Sequence, residues 1–408
     1  MQTFTAIQYL AIDIANHYGL DKIEFEKRIQ WVRDHQDCLE RLIPEAETPL
    51  LYAKAVGAFR KALKGLPVGH AVALDSVCSG LQIMSVISGC YEGCTITGLI
   101  DPDKRYDAYT EITNTMNEIL GDKQIIIDRE DAKKATMTAA YGSKATPRNR
   151  IGEENLYAFY EACEKRSFGA FQLLEFLRDS WNKHQDHHTW TLPDGHVAYV
   201  PVMVSDIKRV KVEEFNYTMS VEFFTQAPTK YGISNIANAV HSIDAYILRS
   251  MVRRCSYNPK QVHTALALIT EEIERRVESC ESRTQWLDHP VIAQYNATQM
   301  ADITAIHDLS EVLLAAMEFS HLHQLKSILK RMLKHPPFDL ITIHDSFACQ
   351  PNHCNQLRYW YKELLAELHE STLLQHILRQ LYNSPDLVYT PDRTDLGQYI
   401  RKSNYGLC

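Results

Sequence analysis

The chain has 408 residues, 45% of them hydrophobic, so it can form about two or three domains with a sizeable core and is not globally disordered. Its net charge of −8 argues against a free-standing binder of duplex DNA, because non-specific affinity for DNA comes mostly from phosphate neutralisation. No apolar run is long enough to predict a membrane span, no signal peptide is expected, and the ten cysteines, without a Cys-x-x-Cys pair, are typical of reduced cytosolic thiols.

The N-terminal stretch is predicted to be helical. Residues 4–17 and 25–42 carry apolar stripes at helical spacing, and residues 20–23 form the turn between them. Lys22 lies in this turn, and from this stretch alone it is interpreted as a solvated loop lysine.

A short apolar strand, residues 71–74, ends at Asp75. The small and polar residues 76–82 follow and lead into a helix that ends near Ser88. A carboxylate at a strand end beside a glycine-bearing turn suits a divalent ion, because such a turn lets the backbone approach an ion or a phosphate closely. A single acid of this kind is more often structural, so the metal interpretation needs a second one.

Two further helices are predicted at residues 106–120 and 128–142, the second with Asp128 suited to its N-cap and Gly142 to its C-cap. Spacing of four places a set of side chains along one face of the second helix. These are Arg129, Lys133, Met137 and Tyr141. The cations could neutralise a triphosphate while the tyrosine supports base and sugar. A solvated basic face explains the pattern equally well.

Residues 151–182 again predict helices, and two hairpins follow. Pro-Asp-Gly at residues 193–195 is a turn signal. Residues 207–212 and 218–224 alternate charged and apolar positions, as the strands of a second hairpin would.

Two clusters leave a zinc site open as an alternative to ordinary loop structure. Residues 184–188 contain three histidines and an aspartate, and residues 349–354 contain two cysteines and a histidine.

The C-terminal half is predicted to be mainly helical. One helix starts in residues 238–244 and runs to about Arg254, and a long helical block occupies residues 260–334. The His307-Asp308 dipeptide inside this block is interpreted as surface. Helices at residues 355–381 and an amphipathic tail at 395–408 complete the chain.

A second acid at a strand end lies between these helices. Residues 338–343 read as a strand that breaks at His344-Asp345-Ser346 and resumes at Phe347. A strand holds a metal ligand more rigidly than a loop does. Two-metal phosphoryl transfer needs two converging carboxylates, and Asp75 and Asp345 together favour that interpretation.

Taken together, these stretches resemble the single-subunit RNA polymerases of phages and mitochondria. Residues 75–82 resemble the first palm motif of that family, residues 129–143 its fingers motif and residues 343–347 its last palm motif. The Asn-x-x-His-Ser-x-Asp run at residues 238–244 is similar to its junction of fingers and palm. Further matches are residues 20–22, Tyr109 and residues 116–120. Several motifs in the family's order, over nearly the whole chain, are far more specific than any one alone.

The resemblance implies a mostly helical α+β fold, a right-hand palm with a small antiparallel sheet plus helical fingers, without thumb or N-terminal domain. It further implies that Asp75 and Asp345 hold two Mg²⁺ ions, with Ser76 also at the metal site. His344 would lie beside the RNA 3′ end. The chemistry would be positioning and charge neutralisation, as in other phosphoryl transfers.

The nucleotide site is implied in the same way. Arg129 and Lys133 would bind the triphosphate of the incoming nucleotide with help from Lys22, and Lys133 would also protonate the leaving pyrophosphate. Tyr141 would stack near the templating base and help to select ribose. His241 would contact the ribose 2′-OH.

The resemblance also divides the chain into regions. These are a helical palm insertion at 1–66, the first part of the palm at 67–95, fingers at 96–241 with a hairpin near 203–232, and the second part of the palm at 242–408, including a helical insertion at 251–337 and a C-terminal foot.

Several features depart from the family pattern. Ser76 replaces a glycine, and Ile83 stands where the family usually has histidine. The 251–337 block is much longer than the family's junction there, and the hairpin at 207–224 is short, which puts promoter recognition by this chain in doubt.

The thumb, the N-terminal domain and an Asp-x-x-Gly-Arg segment are not found. The chain therefore resembles the catalytic subunit of the split, two-chain RNA polymerase of enquatrovirus-type (schitovirus) phages. This subtype implies a smaller partner subunit that carries the missing parts, together with a DNA template, RNA product, NTPs and a single-stranded DNA-binding accessory protein. It also implies that the protein is located in the cytoplasm of an infected bacterium and does not bind a membrane.

Three alternatives stay open. A DNA polymerase of the related family usually has an acid directly after the His-Asp of its last motif, where this chain has Ser346. A metal phosphohydrolase built on the His-Asp dipeptides would hydrolyse nucleotides without a template. A scaffold subunit would keep the fold without catalysis.

Overall fold

The structure, a computed structural model, describes residues 1–121, 127–279 and 286–408, and within these residues the chain is mostly helical. Its helices are α1 (Ala6–Ala15), α2 (Phe25–Asp34), α3 (Pro49–Leu63), α4 (Ser79–Ser88), α5 (Tyr91–Ile96), α6 (Ala108–Leu120), α7 (Arg129–Ala139), α8 (Ala145–Ile151), α9 (Leu156–Asp179), α10 (Ser234–Cys255), α11 (Pro259–Ser279), α12 (Pro290–Thr298), α13 (Glu311–Ala316), α14 (Phe319–Met332), α15 (Cys354–Glu370), α16 (Leu373–Leu381) and α17 (Gly397–Lys402). Its strands are β1 (Val72–Asp75), β2 (His187–Thr191), β3 (Val197–Pro201), β4 (Met203–Val212), β5 (Tyr217–Gln226), β6 (Ile341–Ile343) and β7 (Ser346–Cys349). These small antiparallel sheets among helices confirm the mostly helical α+β class.

A three-stranded antiparallel sheet in the order β1-β7-β6 positions the two acidic strand ends. Val72 and Leu74 of β1 are buried, whereas Asp75 is exposed, as the two-residue period of a strand requires. The register pairs Asp75 with Ser346, so the free end of β1 lies beside the turn between β6 and β7. On the other side of β1, Asp75 and Cys408 exchange backbone hydrogen bonds of 3.3 and 3.0 Å.

Helix α1 packs on β1 and helix α15 packs on β7, while α4 and α10 pack against α15 and against each other. Buried Arg358 of α15 links distant parts of the chain, because its guanidinium donates to the backbone oxygens of Gln2 and Asn404 at 3.2 and 2.8 Å. The same guanidinium donates to the Tyr9 hydroxyl at 3.0 Å. These bonds hold residues 403–408 against β1.

The two predicted hairpins are present. Strands β2 and β3 flank the Pro-Asp-Gly turn, and β4 pairs with β5 over ten residues. Strand β4 starts four residues earlier than predicted, and β5 extends one residue before and two residues beyond its predicted range. The β4-β5 ribbon is exposed on both faces. None of the helices in the described ranges combines the length and apolarity that a bilayer span requires.

One of the N-terminal helix predictions was wrong in extent. The helix predicted at 25–42 ends at Asp34, and a 3₁₀ helix containing Pro44 follows at Leu39–Glu45, since proline interrupts α-helical hydrogen bonding. The block predicted at 260–334 is divided into α11 to α14, with Pro290 starting α12 and Gln299, at φ 54°, ending it. Residues 280–285 of this block and residues 122–126 of the predicted fingers lie outside the described residues.

Neither cluster considered for zinc forms a metal site. The His353 ring stacks on Phe338 at 4.6 Å, and the Cys349 and Cys354 sulfurs are 3.7 Å apart. His188 is buried against Trp181. Within the three described ranges, no group of three or more His, Cys, Asp or Glu side chains is arranged to hold an ion.

Candidate active site

Asp75 and Asp345 lie at the same end of the three-stranded sheet and line one cavity of about 510 Å³. Asp75 is the last residue of β1, and Asp345 occupies the turn between β6 and β7. The predicted convergence of the two acids on one cavity is therefore observed.

The turn that carries Asp345 is tightly held. The Ser76 hydroxyl donates to Oδ2 of Asp345 at 2.8 Å, and the Ser76 backbone N–H donates to the Asp345 carbonyl at 3.2 Å. His344 adopts φ 53°, in the left-handed region that costs most non-glycine residues about 1 kcal/mol. His344 is exposed beside the cavity but is not part of its lining.

The predicted cationic face of α7 points into the same cavity. Asp128 caps the helix by accepting a hydrogen bond from the backbone N–H of Asp131 at 2.8 Å. The prediction of Gly142 as the C-cap was wrong: α7 ends at Ala139 with Ala140 as its C-cap, because the chain tightens there, with the Tyr141 N–H bonded to the Thr138 carbonyl at 3.2 Å. Three side chains of this face line the cavity, Arg129, Lys133 and Met137, and so does Tyr141, two residues beyond the end of the helix. The four side chains that the sequence places at a spacing of four therefore all line the cavity.

Asp107, to which the sequence analysis assigned no role, holds Arg129. The Arg129 Nε lies 2.6 Å from Oδ2 of Asp107. Burial acts to raise the pKa of Asp107, but hydrogen bonds from Arg129 and Thr110 and the nearby arginine charges outweigh it and keep the pKa below its ordinary value. Tyr109 lies beside this pair, with Arg129 and Lys133 at 5.7 and 5.8 Å from its ring centre.

Tyr141 and His241 form a stacked pair, with ring centres 4.9 Å apart and planes 12° from parallel. Burial is the main cause that raises the pKa of Tyr141 to about 12, so its hydroxyl stays protonated and can donate a hydrogen bond. A Cβ added to Gly80 would lie 2.6 Å from this hydroxyl. The tyrosine therefore has a defined position between α4 and α10, although His241 does not itself line the cavity.

Lys22 also lines the cavity, at the turn after α1. Its Nζ contacts Asp21 at 3.0 Å, and its side chain is 45% exposed. The loop lysine of the sequence analysis is thus both solvated and within reach of a ligand in the cavity.

Asp244 is a third acid near the pair. Burial, followed by the charge of Asp345, raises the pKa of Asp244 to about 6, and the charge of His344 opposes this shift. The sequence analysis placed Asp244 in a motif but gave it no role. The charge of Asp345 acts on Asp244 although the two residues are far apart in the sequence, and no local pattern predicts this interaction.

The donor set suits Mg²⁺. Two carboxylates and nearby backbone oxygens are hard ligands, and Mg²⁺ usually keeps several waters and binds through one or two carboxylates plus substrate phosphates. The facing cations of α7 are suited to those phosphates.

Comparison with known proteins gives two matches. A family model described as DNA-dependent RNA polymerase matches residues 3–310, which include Asp75, α7 and His241 but end before Asp345. The chain is 28% identical over 335 residues to a DNA-directed RNA polymerase of Pseudomonas phage phiKMV. That alignment covers 66% of this chain and 41% of the phage protein, so the chain spans about two fifths of its relative's length.

Proposed function

The chain belongs to the DNA-dependent RNA polymerase family, and from this premise we propose that it catalyses template-directed polymerisation of NTPs by two-metal phosphoryl transfer. The observation that supports this most directly is the shared cavity, in which Asp75 and Asp345 face the cations of α7. One side of the cavity offers metal ligands and the other offers phosphate ligands, as transfer of a nucleotidyl group requires.

In this proposal the sheet end forms the palm. Asp75 and Asp345, with Ser76 beside them, would hold two Mg²⁺ ions, which when bound neutralise charge on the attacking and leaving oxygens. Ser76 keeps the Asp345 carboxylate oriented through its hydroxyl. His344, exposed at the turn, would contact the RNA 3′ end.

The helical fingers would bind the nucleotide. Arg129 and Lys133, with Lys22 at the opposite turn, bind the triphosphate, and Lys133 is placed to donate a proton to the leaving pyrophosphate. Tyr141 stacks near the templating base, and His241, stacked against it, contacts the ribose 2′-OH. The proposed boundaries are palm insertion 1–66, palm 67–95 and 242–408, and fingers 96–241.

The choice of ribonucleotides is part of the proposal. Ser346 follows Asp345 where the related DNA polymerases usually carry an acid, and the Tyr141-His241 stack is suited to reading a ribose hydroxyl. Primer extension on a DNA template with rNTPs or dNTPs, compared by kcat/KM, decides between the two substrates. A clear preference for dNTPs would overturn the RNA assignment.

Substitution of the two acids tests the mechanism. Asp75→Asn and Asp345→Asn should each reduce extension by at least about a thousandfold, since each removes a metal ligand. Asp308→Asn is a matched control, because His307-Asp308 is also a His-Asp dipeptide but is exposed and outside the cavity. A phosphohydrolase that uses both His-Asp dipeptides would hydrolyse nucleotides without a template and would lose this activity when His307 is substituted. A scaffold subunit would keep polymerisation by the assembled enzyme after Asp345→Asn.

The split-enzyme subtype remains a prediction from the resemblance. If the chain is of this subtype, it acts in the cytoplasm of an infected bacterium. There it binds a smaller partner subunit and an accessory single-stranded DNA-binding protein. Purification of the chain from infected cells, followed by extension assays with and without the copurifying polypeptides, tests this subtype. Full processive activity of the chain alone would contradict it.

A further inference from the structure

Arg105 is a cavity residue outside every motif of the sequence analysis. It lies in the loop between α5 and α6 and lines the same cavity as Asp75, Asp345 and Lys133. The side chain is half-buried, so most of its length is packed while it reaches the cavity.

Two nitrogens of the Arg105 guanidinium are left open for a ligand within the part of the chain that the structure describes. Its Nε and Nη1 are buried, and neither has a hydrogen-bond partner among the described residues. Two other cavity cations are already engaged, Arg129 by Asp107 and Lys22 by Asp21. A buried donor without a partner is unfavourable, so an arginine kept in this state suggests an acceptor that arrives with a ligand.

The loop that carries Arg105 is anchored on both sides. The Asn404 side chain donates to the Pro102 carbonyl at 2.7 Å, and a Cβ on Gly98 would lie 2.8 Å from the Tyr405 carbonyl oxygen. After Arg105, Asp107 is held by Arg129. The arginine is therefore presented from a fixed backbone.

The charge of Arg105 acts on two residues that contact the surroundings of the proposed triphosphate ligands, Asp107 and Arg28. It helps to keep the pKa of Asp107 low, next to Arg129. Burial is the main cause of the lowered pKa of Arg28, and Arg105 adds to it. Arg28 donates to the Asp21 carbonyl at 2.6 Å, in the turn that holds Lys22. Arg105 therefore shares its cavity and its electrostatic surroundings with the cations of α7 and with the Lys22 turn.

We propose that Arg105 binds the β- and γ-phosphates of the incoming nucleoside triphosphate, in addition to Arg129, Lys133 and Lys22. An arginine fork matches two phosphate oxygens, and its charge does not depend on pH in the working range. The identity of the ligand rests on the proposed polymerase function, whereas the presence of a polyphosphate site does not.

Calorimetric binding of inorganic tripolyphosphate with Mg²⁺ tests the site without template or partner. Arg105→Ala should raise the Kd for tripolyphosphate about tenfold, as loss of a pair of charge-assisted hydrogen bonds would. Arg105→Lys should recover part of the lost affinity. Lys104→Ala is the matched control, because Lys104 is on the same loop but exposed, packs on Tyr106 and does not line the cavity. Thermal unfolding of each variant identifies any that fails to fold, and Arg105→Gln replaces Arg105→Ala in that case.

Primer extension separates this inference from the proposed function. Arg105→Ala should raise KM for NTP, and KM for pyrophosphate in the reverse reaction, about tenfold with much less change in kcat. If wild type extends primers but Arg105→Ala binds tripolyphosphate within twofold of wild type, the inference is wrong and the polymerase assignment stands. If Arg105→Ala weakens binding but wild type does not extend primers even together with its copurifying polypeptides, the phosphate site stands and the polymerase assignment fails.

Discussion

The Ser76 hydroxyl donates a 2.8 Å hydrogen bond to Oδ2 of Asp345 and so joins the ends of the two strands that carry the proposed metal ligands. A glycine at this position, as in the resembling family, has no hydroxyl to offer. The serine that departs from the family pattern therefore supplies an orienting contact for the Asp345 carboxylate.

Loss of this contact should reduce the apparent affinity for Mg²⁺. Removing the hydrogen bond in Ser76→Gly lets the Asp345 carboxylate rotate, and we expect the Mg²⁺ concentration for half-maximal extension to rise about tenfold. Ser76→Thr retains the hydroxyl and serves as the control. A Ser76→Gly enzyme with an unchanged Mg²⁺ titration would show that the carboxylate is held by its backbone alone.

Gly80→Ala should displace Tyr141. The added Cβ would lie 2.6 Å from the tyrosine hydroxyl and 3.0 Å from the carbon that bears it, so the ring must move and its stack on His241 must loosen. We expect kcat/KM for NTP to fall at least about tenfold.

Gly57→Ala is the matched control for this substitution, because its new Cβ meets no atom within 4 Å on helix α3. It should leave activity unchanged and raise stability by about 0.5–1 kcal/mol. Combining Gly80→Ala with Tyr141→Phe removes the closest contact, so the two effects should be less than additive. Strict additivity would count against a direct clash.

His241→Ala should weaken discrimination between rNTPs and dNTPs. The substitution removes a proposed donor to the 2′-OH and the ring that supports Tyr141. Loss of one hydrogen bond corresponds to about a threefold to tenfold fall in the rNTP preference, mainly through rNTP incorporation. Competition assays measure it, and His263→Ala, an exposed histidine on α11, should match wild type. An unaltered preference would remove His241 from sugar selection.

His321 should make the protein less stable in mild acid. Burial lowers its pKa to about 3 from the ordinary 6.5, and its ring stacks on Tyr295 at 4.0 Å. The unfolded chain therefore binds a proton between pH 6.5 and 3 that the folded chain does not, so stability is fully present above pH 6.5 and is lost as pH falls.

Urea unfolding at pH 7 and pH 5 measures this effect. Wild type should lose about 2 kcal/mol more than His321→Phe over that interval, at up to about 1.4 kcal/mol per pH unit. His323→Phe, exposed on the same helix, should behave as wild type. Equal losses in wild type and His321→Phe would mean that His321 is protonated at little cost.

Local features of the site were predictable from the sequence. The face of α7 depends only on helical periodicity and capping by Asp128, both of which are encoded within a dozen residues. The exposure of Asp75 at the end of β1 likewise follows from strand alternation. Helix ends were less predictable where a proline or a left-handed residue intervened, as at Pro44 and Gln299.

Tertiary structure alone decided which of these features share a site. The pairing of β1 with β7 brings Asp75 beside Asp345, although most of the chain separates them. Asp107, Arg105 and Asp244 carry no periodic signal, because a loop residue or a single helical acid acquires its partners only when distant elements pack. Local patterns in the sequence were enough to predict the face of α7, the exposed acid at the end of β1 and the polymerase resemblance. Which charged side chains form ion pairs and which are available to a ligand follows only from the folded structure, because electrostatic contacts depend on distance in space.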